Sequence, residues 1–233
     1  MEGLFYKKIC HFSQNESNYF SQNSQSVEEL FYDSPRKICC VLSKLVYTQG
    51  TLIKETGLVY TTSFSNGNLY ISFKGTSNLS DVISDIKFIR VDDKYNIPGK
   101  MHKGFHDLVL TKGTPEKLLE IIRGFKDVDK IYITGHSLGG ACATIFYTYL
   151  ENFLPNKEKF LVTFGSPRVG DLEFSESVDS ENSIRYVNGD DLVTSIPKIG
   201  YYHVKSKIQL GKKRWYSWSI KDHDIDRYLE TIL

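Results

Sequence analysis

The sequence has few cysteines, no excess of one charge and no long apolar run, and each shortage excludes a class of protein. Its 233 residues include four cysteines, namely Cys10, Cys39, Cys40 and Cys142. None forms a C-x-x-C pair, so neither a zinc site nor a disulfide framework is expected. The 29 Lys and Arg balance 28 Asp and Glu, and a net charge of +1 gives no electrostatic reason to expect a nucleic-acid partner. No segment approaches the roughly 18 apolar residues of a transmembrane helix.

The first residues also lack the apolar core of a secretory signal peptide. Charged or amide side chains interrupt MEGLFYKKICHFSQNESNYF before about seven apolar residues accumulate. Together with the cysteine pattern, this predicts reduced thiols and a cytoplasmic location. The segment SQNESNYFSQNSQS is rich in serine and amides, so we expect residues 1–33 to form a polar arm and residues 34–233 to form one domain.

Helix-like and strand-like segments alternate beyond the arm. DSPRKICCVLSKLVY predicts a helix, and a hairpin around Asn66 and Gly67 joins two predicted strands. KIYITG, KFLVTFG and SIRYVNG predict further strands, whereas TPEKLLEIIRGF and GACATIFYTYLENFL predict helices. This alternation is typical of an α/β protein with a mostly parallel sheet and helical crossovers.

A serine lies between glycines where a predicted strand meets a predicted helix. Gly135, Ser137 and Gly139 fit the pattern G-x-S-x-G, in which glycines permit a sharp strand-to-helix turn. Such a turn lifts the hydroxyl above the sheet, and the helix N-terminus directs backbone N–H groups toward a developing oxyanion. Although the bare pattern also occurs by chance, the apolar strand before it and the small residues after it favour a nucleophilic serine.

A serine nucleophile needs a base and an acid, which α/β-hydrolases place later in the chain with the acid first. Beyond His136, which adjoins the serine and is expected to point elsewhere, the chain offers His203 and His223. Asp190 and Asp191 follow the strand SIRYVNG, at the sheet edge where such sites assemble. The residues alone do not decide which aspartate is the acid or which histidine is the base.

Five blocks in this order resemble the class 3 lipases of the fungal triacylglycerol-lipase type: YISFKGTS, MHKGF, YITGHSLGGA, VTFGSPRVGD and RYVNGDDLVTSIP. The resemblance extends from about residue 34 to the last residue and implies the α/β-hydrolase fold, with a mostly parallel central sheet and helices on both faces. By the family pattern, Ser137 resembles the nucleophile and Asp191 the acid of the block R-x-V-N-x-x-D. His223 resembles the base in its late D-H context, whereas His203 matches a structural histidine of the family.

The same resemblance implies an oxyanion hole formed by the backbone N–H groups of Thr76 and Leu138. The usual family block F-R-G-T reads F-K-G-T here, so Lys74 is a departure. An ordinary strand end followed by a capping threonine is the alternative interpretation of this block.

An apolar stripe follows at Leu79, Val82, Ile83 and Ile86, with the spacing of one helix face. In the family this region resembles a lid, which covers the serine in water and turns onto a lipid surface. A helix packed on the core is the alternative, because Val82 replaces the aromatic residue often found in the family lid.

The resemblance implies a serine hydrolase that cleaves carboxylic esters of lipids through an acyl-enzyme, without a metal or cofactor, and the complete set of Ser, His and Asp agrees with an active enzyme. Its expected partner is a lipid ester substrate, met at a lipid–water interface if the lid operates. A phospholipase A1-type enzyme and an esterase for soluble esters are alternatives within the same chemistry. A catalytically silent interaction module on the same fold is the alternative from another class.

Overall fold

A computed structural model of the chain describes residues 34–76, 89–214 and 219–233. The chain divides into two units, Met1–Ile38 and Cys39–Leu233, and the second contains the sheet and the candidate site. The predicted polar arm lies outside the described residues, so its boundary with the domain stays a prediction.

The described residues contain six α-helices, nine strands and two 3₁₀ turns. The helices are α1 Pro35–Gln49, α2 Lys103–Val109, α3 Thr114–Gly124, α4 Leu138–Phe153, α5 Leu172–Ser177 and α6 Ile225–Ile232. The strands are β1 Thr51–Ile53, β2 Leu58–Ser65, β3 Asn68–Phe73, β4 Arg90–Val91, β5 Met101–His102, β6 Lys130–His136, β7 Glu158–Phe164, β8 Ser183–Asn188 and β9 Lys207–Leu210. The 3₁₀ turns are Val193–Ser195 and Lys221–His223.

Seven strands form one sheet in the order β1-β2-β3-β6-β7-β8-β9. β1 and β2 pair antiparallel, as do β2 and β3, whereas β3, β6, β7, β8 and β9 are mutually parallel. The predicted mostly parallel sheet is therefore confirmed. The predicted hairpin joins β2 to β3, and its turn residues Asn66 and Gly67 adopt φ values of 50° and 73°.

Alternate residues of β6 face opposite sides of the sheet. Ile131 and Ile133 pack in the core that also contains Ile145 of α4. Thr134 instead shares a hydrogen bond with Ser43 of α1, at 3.1 Å between the hydroxyl oxygens. Because successive strand residues point to opposite faces, α1 and α4 cover different faces of the sheet. The carboxyl end of β6 thus lies near the middle of a covered parallel sheet, where α/β folds assemble their sites.

The three described cysteines, Cys39, Cys40 and Cys142, are buried and unpaired. Burial raises the pKa of the Cys142 thiol to about 12, so this group stays protonated and unreactive. None of the helices within the described ranges combines the length and apolar character that crossing a bilayer requires.

Candidate active site

The turn between β6 and α4 centres on Ser137, which adopts φ 59° and ψ −129°. Such a conformation is uncommon and strained for a residue that carries a side chain. The Ser137 N–H donates to the carbonyl oxygen of Phe164 at 3.0 Å, and the Ser137 carbonyl accepts from the Gly140 N–H at 2.9 Å. These bonds fix the serine between strand and helix, as the G-x-S-x-G pattern predicts.

The glycines of this turn allow three backbone segments to meet around the serine. A Cβ atom on Gly139 would lie 2.0 Å from the carbonyl oxygen of Phe73, at the end of β3. A Cβ atom on Gly135 would lie 2.3 Å from the carbonyl group of Gly139. Since both obstacles are backbone atoms, neither glycine can accept a side chain without displacing the turn.

We expect Gly139→Ala to lower the free energy of unfolding by about 1 to 3 kcal/mol, because the added methyl overpacks backbone that has no room to yield. Gly124→Ala is the matched control, since a Cβ atom at that end of α3 meets nothing within 4 Å. Alanine in a helix is up to about 1 kcal/mol more favourable than glycine, so the control should be neutral or slightly stabilised. Urea unfolding followed by circular dichroism compares the two, and equal losses in both variants would contradict the expectation.

His223 and Asp191 form a fully buried pair, with exposed fractions of 0% and 2%. The Nδ1 atom of His223 lies 2.9 Å from Oδ1 and 2.8 Å from Oδ2 of Asp191. Because an ionised carboxylate only accepts hydrogen bonds, Nδ1 carries the proton, and the neutral ring leaves Nε2 as an acceptor. The Tyr228 hydroxyl donates to Oδ2 at 2.6 Å and the Val193 N–H donates to Oδ1 at 2.9 Å, so the carboxylate is held from two further directions.

Two contacts place this pair against residues next to the serine: Gly165, which follows the Phe164 that accepts from the Ser137 N–H, and His136, which precedes Ser137. Gly165, directly after β7, is so close that a Cβ atom there would lie 2.8 Å from Oδ2 of Asp191 and 3.0 Å from Nδ1 of His223. The ring of His136, the residue before Ser137, lies 4.5 Å from the ring of His223 between centroids. Within the described part of the chain, Ser137 Oγ and His223 Nε2 are both buried and neither has a hydrogen-bond partner. Buried polar atoms are normally paired, and other unpaired atoms of the described residues, such as Ser63 Oγ, lie elsewhere in the fold. What distinguishes Ser137 Oγ and His223 Nε2 is that one lies at the strained turn and the other on the ring bonded to Asp191.

His136 links the serine turn to the base, which sequence analysis did not anticipate. Its Nε2 atom lies 2.7 Å from the backbone carbonyl oxygen of His223, and its Nδ1 atom lies 3.1 Å from the Tyr47 hydroxyl. Nε2 must donate to the carbonyl, so Nδ1 accepts from the tyrosine and the ring is neutral. Burial, and then the adjacent His223, lower the pKa of His136 well below its usual value.

His203, the alternative base, occupies a different place. Its Nε2 atom donates to the backbone carbonyl of Thr194, and the residue lies in the segment before β9. Burial and then the neighbouring Arg185 guanidinium lower the pKa of His203 to about 3. The ring that meets the Asp191 carboxylate is therefore that of His223.

We expect the free energy of unfolding to decrease as the pH falls below about 6.5, the usual pKa of an unfolded histidine. His136 and His203 both have lowered pKa values in the folded protein, so the unfolded chain binds more protons in this range. Stability is therefore lost on acidification, by up to about 1.4 kcal/mol per pH unit for each histidine. For His203 the loss continues until the pH reaches its folded pKa of about 3.

Urea unfolding between about pH 7.5 and pH 5.5 measures this slope before most carboxylates titrate. His203→Gln keeps a side-chain donor for the Thr194 carbonyl but removes one titrating group, so its slope should be shallower than that of the parent. An identical slope in both proteins would contradict the lowered pKa of His203 in the folded protein.

The predicted oxyanion donors belong to the two segments that follow the serine and β3 in the chain. Leu138 is the first residue of α4, and Thr76 comes two residues after Lys74 at the end of β3. A Cβ atom on Gly75 would lie 3.2 Å from the Cβ atom of Ser137, so the chain that leads into Thr76 passes beside the turn. The predicted lid residues lie outside the described part of the chain: Leu79, Val82, Ile83 and Ile86.

Comparison with known proteins agrees with this architecture. Residues 70–201 match the family model described as Lipase (class 3), and the chain belongs to this family. It is similar to the structure of the triacylglyceride lipase of Rhizomucor miehei, with a TM-score of 0.63, 26% identity, and coverage of 80% of this chain and 81% of that chain. The α/β-hydrolase fold and the class 3 lipase resemblance are thus confirmed.

Two curated relatives illustrate the range of the family. A lipase of Rhizomucor miehei is 35% identical over 182 residues, which are 74% of this chain and 48% of that protein. A secreted mono- and diacylglycerol lipase of Malassezia globosa is 29% identical over 181 residues, 72% of this chain and 55% of that protein. The chain therefore spans about half the length of the curated relatives it matches.

The expected cytoplasmic location is wrong. The relatives from Malassezia globosa and Malassezia restricta are secreted lipases, so the family relationship points to an extracellular location instead. The expectation rested on the first residues and on cysteine spacing, and three described thiols that are buried and unpaired are compatible with either compartment.

Proposed function

We propose that this chain is a serine hydrolase that cleaves carboxylic esters of lipids, with Ser137 as nucleophile, His223 as base and Asp191 as acid. The observation that carries the proposal is the ring of His223, whose Nδ1 bonds both carboxylate oxygens of Asp191 while Nε2 has no hydrogen-bond partner among the described residues. This arrangement fixes the tautomer that can accept the serine proton.

The reaction begins when Oγ of Ser137 attacks the ester carbonyl carbon and its proton passes to Nε2 of His223. Asp191 stabilises the imidazolium that forms, and the ring then gives the same proton to the departing alcohol oxygen as the carbon–oxygen bond breaks. Water next attacks the acyl-enzyme, with His223 again accepting and returning a proton, and releases the fatty acid. Neither step requires a metal or cofactor.

The backbone N–H groups of Leu138 and Thr76 are the proposed oxyanion hole. The first residue of a helix has no intrahelical acceptor for its N–H, so Leu138 can donate to an anionic oxygen. The approach of Gly75 to Ser137 supports the second donor. Because backbone donors survive side-chain changes, Thr76→Ala is not expected to abolish the hole.

The proposed substrates are acylglycerols, met at a lipid–water interface. The names of the relatives support this class, since they include a triacylglyceride lipase and a mono- and diacylglycerol lipase. The stripe at Leu79, Val82, Ile83 and Ile86 is proposed as the lid that confers interfacial activation.

Fatty-acid release by the purified protein and by Ser137→Ala tests the proposal. The substrates are a soluble short-chain ester and emulsions of mono-, di- and triacylglycerol and of phospholipid, each assayed across its solubility limit. Serine-dependent release that rises sharply above that limit supports an acylglycerol lipase with a lid.

The other outcomes separate the alternatives. Release from soluble ester alone identifies an esterase, and release from phospholipid alone identifies a phospholipase. Absence of serine-dependent release from every substrate overturns the proposal and favours a silent module.

A further inference from the structure

We propose that Arg214 is a positioning residue, which aligns the acid and the base by binding the residue that precedes each of them. The inference rests on the proposed function, because it concerns the pair Asp191 and His223. The residues that Arg214 contacts are Asp190 and Asp222, and neither belongs to the Ser, His and Asp set. We call this group of Asp190, Arg214 and Asp222 the acidic clasp.

Asp222 is the first half of the clasp. It precedes His223 in the 3₁₀ turn, and its side chain is 5% exposed. One guanidinium nitrogen of Arg214 lies 2.5 Å from Oδ2 of Asp222, and the Asp190 N–H donates to the same oxygen at 3.1 Å. Burial opposes ionisation, yet the Asp190 N–H and the Arg214 guanidinium outweigh it and lower the pKa of the Asp222 carboxyl.

Asp190 is the second half. Its side chain is 8% exposed, and its Oδ2 atom accepts from the Arg214 backbone N–H at 2.6 Å. The Nε atom of the Arg214 side chain lies 3.6 Å from the same oxygen. The family pattern leaves this residue unmatched beside Asp191, so the clasp gives it a physical role. One arginine therefore faces two nearly buried carboxylates, one on the loop of the acid and one on the turn of the base.

Within the described residues, two backbone bonds join these segments: the Ser219 N–H donates to the Asp190 carbonyl at 3.0 Å, and the Leu192 N–H donates to the Ser219 carbonyl at 3.4 Å. The Asn188 side-chain amide also donates to the Asp222 carbonyl at 3.1 Å. Gly189, between these residues, leaves space that Asp222 fills, since a Cβ atom there would lie 2.6 Å from Oδ2 of Asp222. Asp222 thus packs directly against the acid loop. Without Arg214, Arg227 is the remaining described arginine on Asp222, and the charge of Asp222 then repels that of Asp190 with less compensation.

The clasp acts on geometry more than on stability. The Arg214 side chain is 50% exposed, and exposed ion pairs contribute little to folding. However, small displacements of catalytic groups reduce the rate steeply, by as much as about 100-fold for 1 Å. The planar guanidinium can bridge two carboxylates at once, which the ammonium of lysine does poorly.

Four variants test the clasp, assayed on a soluble ester so that no lipid interface responds to salt. We expect Arg214→Gln to lower kcat about tenfold with little change in KM, because misalignment affects the reaction more than ester binding. Arg214→Lys should lie between this variant and the parent. Adding Asp190→Asn to Arg214→Gln should restore part of kcat, since it removes the repulsion. Arg227→Gln is the matched control: Arg227 also binds Asp222, at 3.2 Å, but on the segment of the base itself.

Ionic strength provides the second readout. Salt up to about 0.5 M should lower kcat of the parent toward that of Arg214→Gln, whose own kcat should stay flat because it has no clasp to screen. If the parent is active and Arg214→Gln has the same kcat, the proposed role of Arg214 is wrong. A lower melting temperature at unchanged kcat also overturns it, because that is the signature of a structural role only. A parent without Ser137-dependent activity instead overturns the proposed function.

Discussion

Ser137→Ala lowers kcat on every ester substrate by about a millionfold, the expected loss when the nucleophile of such a triad is removed. Alanine retains the Cβ atom that the turn already accommodates at φ 59°, so the fold should stay intact. The residual rate then reflects only binding and the oxyanion donors.

His223→Ala should cause a loss of similar size, and the double variant should be no slower than either single one, because the two residues act as a unit. Ser63→Ala is the control, since Ser63 is also a buried serine whose Oγ has no partner within the described ranges, but it lies within β2. Labelling by an organophosphonate, read by mass spectrometry, should occur in the parent and the control and be absent from Ser137→Ala. Substantial turnover by Ser137→Ala would identify a different nucleophile.

The second large effect is expected for Asp191→Asn, which should lower kcat about 10⁴-fold with an unchanged overall structure. The new amide has one oxygen, which cannot accept from all three present donors, the His223 ring, the Tyr228 hydroxyl and the Val193 N–H. In either orientation of the amide, its NH2 group lies within reach of the ring and donates to Nδ1. The imidazole then favours the tautomer with the proton on Nε2, which cannot accept the serine proton.

His203→Gln is the control for this experiment, because His203 is the other histidine that the sequence offers as a base. Its kcat should equal that of the parent, and the pH dependence of kcat should be unchanged. A large loss in His203→Gln, with a small loss in Asp191→Asn, would reverse the assignment of the base.

The sequence predicted the parts of the site that depend on neighbours in the chain. The serine turn needs glycines at fixed distances from Ser137, and the hairpin needs Asn66 and Gly67 together, so a short segment is sufficient to recognise each. The alternation of apolar strands and helices likewise predicted the parallel sheet, because the crossover between parallel strands usually contains a helix.

The parts that were missed depend on contacts between distant segments. The residues alone could not choose between His203 and His223, and the choice came from family resemblance. His136, Gly165 and Arg214 form no recognisable motif with their partners, because their contacts arise only when the ends of β6, β7 and β9 meet. A glycine directly after a strand in VTFGSPRVGD was the one available signal for Gly165.

The order of the site along the chain has a consequence for synthesis. Ser137 sits in a turn built by β3, β6 and α4, whereas its base arrives on the turn Lys221–His223, after β8 and β9. During synthesis the segments of the serine turn therefore emerge well before the proposed base, so the partly synthesised chain lacks a complete triad. If His223 is the base, as proposed, the hydrolase can act only once the turn before α6 has docked, when nearly the whole sheet is assembled.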